Sequence, residues 1–283
     1  MPLTERTGVF MGSSDDYDTS RFVLIGAPMD FTVSFRPGSR NGPQFIRMVS
    51  SGLEEYSVYQ DKELADYNYY DYGDLILPFG NVKESLNRIE LAAGEIVEHG
   101  KFPIFLGGEH LISLAVIKAM VKKYPDLAVL HFDAHADLRC DYIGEVESHA
   151  TVMRYASELL GKKQLYQFGI RSGTREEFEY AREHTNMFID ELLGPLEQVV
   201  ENWKGSPVYI SIDIDVVDPA FAPGTGTPEP GGCTAKEIIK AINIMSKLPV
   251  VGMDIVEVLP MVDQSQRTAL LAAKLVREAI LAF

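Results

Sequence analysis

Three short stretches of this 283-residue chain set acids and histidines at alternate or adjacent positions. They are Asp133-Ala134-His135-Ala136-Asp137, Asp213-Ile214-Asp215 and Gly107-Gly108-Glu109-His110, and they follow the apolar runs LAVLHF, VYISI and FPIFL. Residues i, i+2 and i+4 of an extended chain point to one side, so each Asp run aims its polar groups together. Four carboxylates in a low-dielectric pocket raise one another's pKa and cannot all stay ionised without compensation. Two divalent cations would balance them. Carboxylate oxygen and imidazole without thiolate suit a hard or borderline metal such as Mn²⁺ better than a structural zinc. A pair of such ions about 3.5–4 Å apart makes hydroxide from bridging water and clamps the reacting atoms. A lone D-x-D is more often a turn or cap; two such runs with GGEH, all at strand ends, favour a metal centre.

The elements that must carry these residues alternate in type. Runs expected as strands are Phe22–Gly26, Phe102–Leu106, Leu127–Phe132, Leu165–Ile170, Val208–Ile214 and Val250–Val258. Between them, 84–99 has Leu86, Ile89, Ala93, Ile96 and Val97 on one stripe and stops at Gly100, so it reads as a helix. Thr234 with Glu237 forms a capping box opening a helix at 235–246, and a last helix is expected over 265–282. Strands apolar throughout are buried on both faces, which requires a parallel sheet covered by helices. With no linker and no repeat, the expectation is one α/β domain over 1–283, of three α/β/α layers, with residues 1–20 a short N-terminal extension. Ligands in such sheets bind beyond the carboxyl ends of the strands.

Composition narrows the partners. Lys and Arg number 26 against 41 Asp and Glu, a net charge of −15 without a basic stripe, so nucleic acid is not expected. The longest run free of charged residues is ten, 219–228, too short to span a membrane. The start, MPLTERTGVF, has no signal-peptide pattern, and two cysteines, Cys140 and Cys233, are expected reduced; both favour the cytoplasm.

GGEH, HFDAHADL, SIDIDVVDPAFAPGTGTPEPGG and MDIVEV, with FRPGSRNGP and QFGIRSG, closely resemble the ureohydrolases (arginases and agmatinases), which hydrolyse guanidino compounds to urea. The resemblance runs from about residue 22 to the C-terminus. It implies an arginase-like fold with two manganese ions. His110, Asp133, Asp137 and Asp213 would hold one; Asp133, His135, Asp213 and Asp215 the other, Asp133 and Asp213 bridging. It further makes His149 a proton shuttle at the site mouth and Glu257 the carboxylate gripping the guanidinium, a bidentate fit of fork and acid. Asp137 would hold the hydroxide and pass its proton to the leaving amine. His131 and Asp254 are expected to be structural or to support the ligands. Trimers or hexamers are the oligomers the family forms.

For the substrate tail, the loop LRCDYIGEVES lacks the Asn with which arginases receive a carboxylate, and its Asp141, Glu145 and Glu147 would tolerate an amine. Together with a likeness to the bacterial agmatinase branch, this favours agmatine, giving putrescine and urea for polyamine synthesis. Arg139 in the same loop and Gln264, where agmatinases commonly have His, keep guanidinobutyrate, guanidinopropionate and arginine as alternatives. A non-catalytic metal-binding regulator is a weaker reading, because no ligand position is lost. Deacetylation on a related fold would need a single zinc, against which His135 and Asp215 argue.

Overall fold

In the computed structural model, which describes residues 3–6 and 8–283, eleven strands and eight α-helices alternate along most of the chain. The strands are β1 (Thr4–Glu5), β2 (Phe22–Ala27), β3 (Tyr56–Ser57), β4 (Lys62–Glu63), β5 (Tyr69–Leu75), β6 (Phe102–Gly107), β7 (Ala128–Phe132), β8 (Leu165–Ile170), β9 (Asn186–Ile189), β10 (Val208–Asp213) and β11 (Val250–Val256). The helices are α1 (Gly42–Ser50), α2 (Val82–Glu98), α3 (Ile112–Lys123), α4 (Val152–Leu160), α5 (Arg175–His184), α6 (Leu193–Glu201), α7 (Ala235–Met245) and α8 (Arg267–Ala282). Nine strands form one sheet in the order β1-β5-β2-β6-β11-β10-β7-β8-β9, parallel except where β1 meets β5. β3 and β4 make a separate antiparallel pair.

Side-chain alternation divides the sheet's contacts between two cores. Leu24, Ile104, Leu130, Ile210 and Ile255 face a core closed by α1, α6, α7 and α8. Val23, Phe105, Val129 and Tyr209 face another closed by α2, α3 and α4. Both faces are therefore covered, which is why these strands read as unbroken apolar runs. The three-layer α/β/α expectation holds. The Thr234/Glu237 capping box opens α7 as expected, and α2 ends at Glu98, capped by His99, with Gly100 at φ +70.

Two strands of the large sheet, β5 and β9, went unforeseen along with the marginal β1. β5 reads YYDYGDL, whose aspartates look like surface, yet Asp71 and Asp74 are buried. Arg47 of α1, itself 2 % exposed, explains it: Nε lies 2.8 Å from Asp71 Oδ2 and Nη1 2.5 Å from Asp74 Oδ1. The tyrosine-rich stretch from Tyr56 to Tyr72 thus contains a sheet strand, with Tyr69 and Tyr72 buried. β9 is a half-exposed four-residue edge strand, too short for a pattern. Of the expected extension 1–20, residues 1, 2 and 7 lie outside the described residues. Phe10 is buried and its N–H donates to Asp71 at 2.7 Å. α8 begins at Arg267, two residues later than the sequence suggested, because Asp263 accepts the Thr268 N–H and hydroxyl at 2.9 and 2.8 Å.

Removing one member of a buried charge group leaves the others uncompensated. Arg47→Met should therefore cost about 3–5 kcal/mol, read as a lower urea midpoint. An unchanged midpoint would mean that Asp71 and Asp74 need no partner.

Candidate active site

The neighbours β6, β11, β10 and β7 end at one level, and each hands the chain to a polar segment. After β6 come Gly108, Glu109 and His110; an added Cβ on Gly108 would lie 1.9 Å from the Met29 carbonyl oxygen, so only glycine lets the two backbones pass. After β7 come Asp133, His135 and Asp137, β10 ends in Asp213 with Asp215 next, and Glu257 follows β11. Asp137 and Glu257 have φ of +53 and +62, left-handed values that non-glycine residues keep only when their surroundings hold them.

All six ligand positions come together. His110 Nδ1 lies 3.1 Å from Asp133 Oδ2, 3.2 Å from Asp137 Oδ2 and 3.4 Å from Asp213 Oδ2. His135 Nδ1 lies 3.0 Å from Asp215 Oδ2 and 3.5 Å from Asp133 Oδ1. Among the described residues, two groups of donor atoms are compact enough to hold an ion: His110, His131, Asp133 and Asp137, and Asp133, His135 and Asp215. Asp133 belongs to both. Asp213, expected to bridge, is in neither group; its Oδ2 lies beside His110 Nδ1 and its Oδ1 accepts the Asp215 N–H at 2.9 Å.

The chemistry of these atoms fits a cation. His110 Nε2 meets Ser211 Oγ at 2.9 Å, and that hydroxyl donates to Asp254 at 2.8 Å. A hydroxyl that spends its proton on Asp254 must accept from Nε2–H, which turns the unprotonated Nδ1 of a neutral ring toward three carboxylates. Nδ1 and Asp215 Oδ2 are buried without a hydrogen-bond partner. Without a metal only a proton can sit there: burial opposes it, but the three aspartates carry the His110 pKa well above its ordinary value. His135 is only partly buried, and although that burial opposes its charge, Asp215 and Asp133 push it up to about 12. Burial and the Asp133 charge raise Asp137 to about 7, and burial with Asp215 and Asp133 raises Asp213 well above the carboxylate range. Burial would raise Asp133 too, but His131, His110 and His135 hold it well below that range.

His131 is wholly buried, with Nε2 2.8 Å from Asp133 Oδ2 and Nδ1 3.1 Å from Gln167 Nε2, so it braces Asp133 from within β7. Asp254 accepts from the Tyr209 and Ser211 hydroxyls at 2.7 and 2.8 Å, and Ser211 links it to His110. Glu257 and His149 line the cleft with His110, His135, Asp137 and Asp213. Glu257 Oε1 accepts the His110 N–H at 2.9 Å, and burial, then Glu109, raise its pKa to about 8. His149 opens a short 3₁₀ turn capped by Ser148; burial, then His110 and His135, lower it to about 4.

Two functional features escaped the sequence reading. Asp141 and Glu145 are exposed, and neither they nor Glu147 line the cleft; Arg139 and Tyr142 of that loop do. The acids of that loop therefore give no reason to prefer an amine tail over a carboxylate. Arg171 was passed over inside QFGIRSG. Its guanidinium bonds the carbonyl oxygens of Gly169, Asp215, Val216, Glu229 and Pro230, fastening the loop after β10 to the end of β8. Gly224 and Gly226 lie in that loop, where an added Cβ would meet Thr268 at 2.8 Å or the Arg36 carbonyl oxygen at 3.1 Å. Gln264 is exposed, away from the cleft. His99 and His184 rest on Tyr17 and Tyr180.

The arginase family model matches residues 20–282. This chain belongs to the arginase family. Membership makes it a ureohydrolase in a family of binuclear metal hydrolases. It is similar to the agmatinase of Bacillus subtilis (strain 168), 54% identical over 97% of this chain and 96% of the relative. A guanidinobutyrase of Pseudomonas aeruginosa is 36% identical over 95% of this chain and 88% of its own. Among solved structures, the agmatine ureohydrolase of Thermoplasma volcanium superposes with a TM-score of 0.89 at 33% identity, covering 99% of this chain and 95% of that one.

Asp133→Asn removes the carboxylate common to both donor groups. Its Mn²⁺ content after dialysis should fall well below that of the unaltered chain, and equal content would remove Asp133 from the centre. Metal removal should also expose a pH dependence of stability. Glu257 (about 8), Asp137 (about 7) and Glu109 (about 7) have raised folded pKa values, as does His135 (about 12). Each binds its proton more tightly folded than unfolded, so each loses stabilisation as pH rises through its folded value. The Tm of the metal-stripped protein should drop from pH 6.5 to 8.5, and Mn²⁺ should flatten that slope. A rising Tm over the interval would contradict these assignments.

Proposed function

We propose that this ureohydrolase hydrolyses agmatine to putrescine and urea at a pair of Mn²⁺ ions. One observation carries the substrate: the Bacillus subtilis relative at 54% identity over 97% of the chain is an agmatinase. His110, Asp133, Asp137 and Asp213 would hold one ion, and Asp133, His135, Asp213 and Asp215 the other. The ions would supply activated water and a Lewis acid.

The remaining work falls to the chain's own side chains. Glu257 grips the guanidinium as a bidentate acceptor; a cation arriving beside it favours the charged carboxylate and draws its pKa down from about 8. Asp137 passes a proton to the leaving amine. His149, neutral at working pH because its pKa is lowered to about 4, accepts protons at the mouth and gives them to solvent.

The tail preference has support on the cleft wall. Arg139 would attract a carboxylate, but its Nε lies 3.6 Å from Glu177 Oε2, which is buried. Arg139 also sits 5.2 Å from the centre of the Tyr142 ring. A guanidinium already balanced by a neighbouring carboxylate offers less to an acidic tail, which supports agmatine. Because Arg139 does line the cleft, guanidinobutyrate is the second reading.

The chain is further proposed to act as a single domain over 1–283 with residues 1–20 an extension, as a cytoplasmic trimer or hexamer, in polyamine synthesis, without nucleic-acid or membrane partners. Both cysteines are free, and among the described residues no helix is long and apolar enough to cross a membrane.

Urea release from agmatine, arginine, guanidinobutyrate and guanidinopropionate, measured in parallel with Mn²⁺, tests this reading. Agmatine should give the highest kcat/KM; preference for guanidinobutyrate would reverse the tail assignment and leave the hydrolysis intact. Glu257→Gln should lose urea release by about a hundredfold or more with Mn²⁺ content retained. Unaltered turnover would take Glu257 out of the mechanism.

A further inference from the structure

Glu109 is wholly buried next to His110, yet it belongs to neither group of metal-binding atoms. Its carboxylate accepts the backbone N–H groups of Phe31 and Thr32 at 2.7 and 3.1 Å and the Thr32 hydroxyl, from a loop 77 residues away in sequence. Thr32 Oγ1 in turn accepts the His149 backbone N–H at 3.0 Å and lies 3.4 Å from its Nδ1. Ser34 Oγ, from the same loop, stands 3.3 Å from His149 Nε2. Glu109, Thr32 and His149 come from three distant parts of the chain and meet behind the cleft wall that His149 lines.

We propose that Glu109 and Thr32 are positioning residues for His149. A hydroxyl has one proton to donate. Thr32 donates it to Glu109, so toward the imidazole Thr32 can only accept. Ser148 Oγ, 3.3 Å from the same Nδ1, can accept there as well, whereas a lone pair on Nδ1 would face the lone pairs of Thr32. The ring then keeps its proton on Nδ1 and presents the Nε2 lone pair toward Ser34 and the cleft, the tautomer that a proton acceptor at the mouth requires. Glu109 does this without touching substrate: it fixes the direction of one O–H bond, and that bond selects the face and tautomer of the histidine. The inference rests on His149 being the proton carrier, as proposed above.

The test compares Mn²⁺-loaded Thr32→Val, Thr32→Ser, His149→Asn and the double variant Thr32→Val/His149→Asn, with agmatine. Thr32→Val keeps the side chain's shape and loses both bonds. Its kcat should fall about tenfold or more with KM and Mn²⁺ content nearly unchanged, and Thr32→Ser should restore most of it. The double variant should be no slower than His149→Asn alone, because both changes act through one residue. Glu109→Gln, which sets an amide donor among donors, should repeat the Thr32→Val loss; if it does not fold, the valine and serine pair still decides. Full kcat in Thr32→Val beside a slow His149→Asn would overturn the positioning role and spare the proton carrier. Additive losses in the double variant would overturn it as well. Full activity in His149→Asn would instead remove the proton carrier, and the inference with it.

Discussion

Everything at the strand ends answers to one electrostatic constraint: Asp133, Asp137, Asp213, Asp215, Glu109 and Glu257 are all buried in or beneath the cleft that Asp137, Asp213 and Glu257 line. Like charges at such distances in a poor dielectric are tolerated only with matching positive charge. The protein supplies part of it through His110 and His135 and leaves atoms bare where a cation would complete the balance. Arrangements usually discussed as catalytic are thus also conditions for burying these acids. The site and the stability of this end of the molecule are one problem.

The parallel sheet makes that crowding possible. Four adjacent strands stop at the same level, so segments remote in sequence deliver their polar groups to one point. Backbone is pressed hard there: Gly108 passes the Met29 carbonyl where no Cβ fits, and Asp137 and Glu257 hold left-handed conformations. Conformations of that kind persist when packing over-determines them. Hydrogen bonds do the holding: the Asp137 carbonyl accepts the Met153 and Arg154 N–H groups at 3.0 Å, and the Glu257 N–H donates to the Gly108 carbonyl at 2.8 Å while its carboxylate accepts the His110 N–H.

Much of this was legible because the chemistry is written locally. Asp133, His135 and Asp137 alternate on one chain segment, as do Asp213 and Asp215, and the apolar runs before them announce buried parallel strands. What stayed hidden depended on partners far away in sequence. β5 carries aspartates that make sense only once Arg47 of α1 is beside them. The sequence assigns Glu109 of GGEH no role of its own, because its partners are in the loop at Phe31 and Thr32. The direction of a loop was also beyond reach: the acids after Asp137 gave composition, but which of them face the cleft is set by the turn at Tyr142–Glu145.

Arg171 gives the rim of the cleft a property unlike that of its floor. The floor is made of groups that gain and lose protons, and its charge must change whenever a metal or a guanidinium comes or goes. The loop after β10 is fastened by a guanidinium to neutral carbonyl oxygens. Neither partner titrates in the range where enzymes work. The opening can therefore keep one shape while the electrostatics beneath it are rewritten at every turnover, a fixed frame around a changing charge.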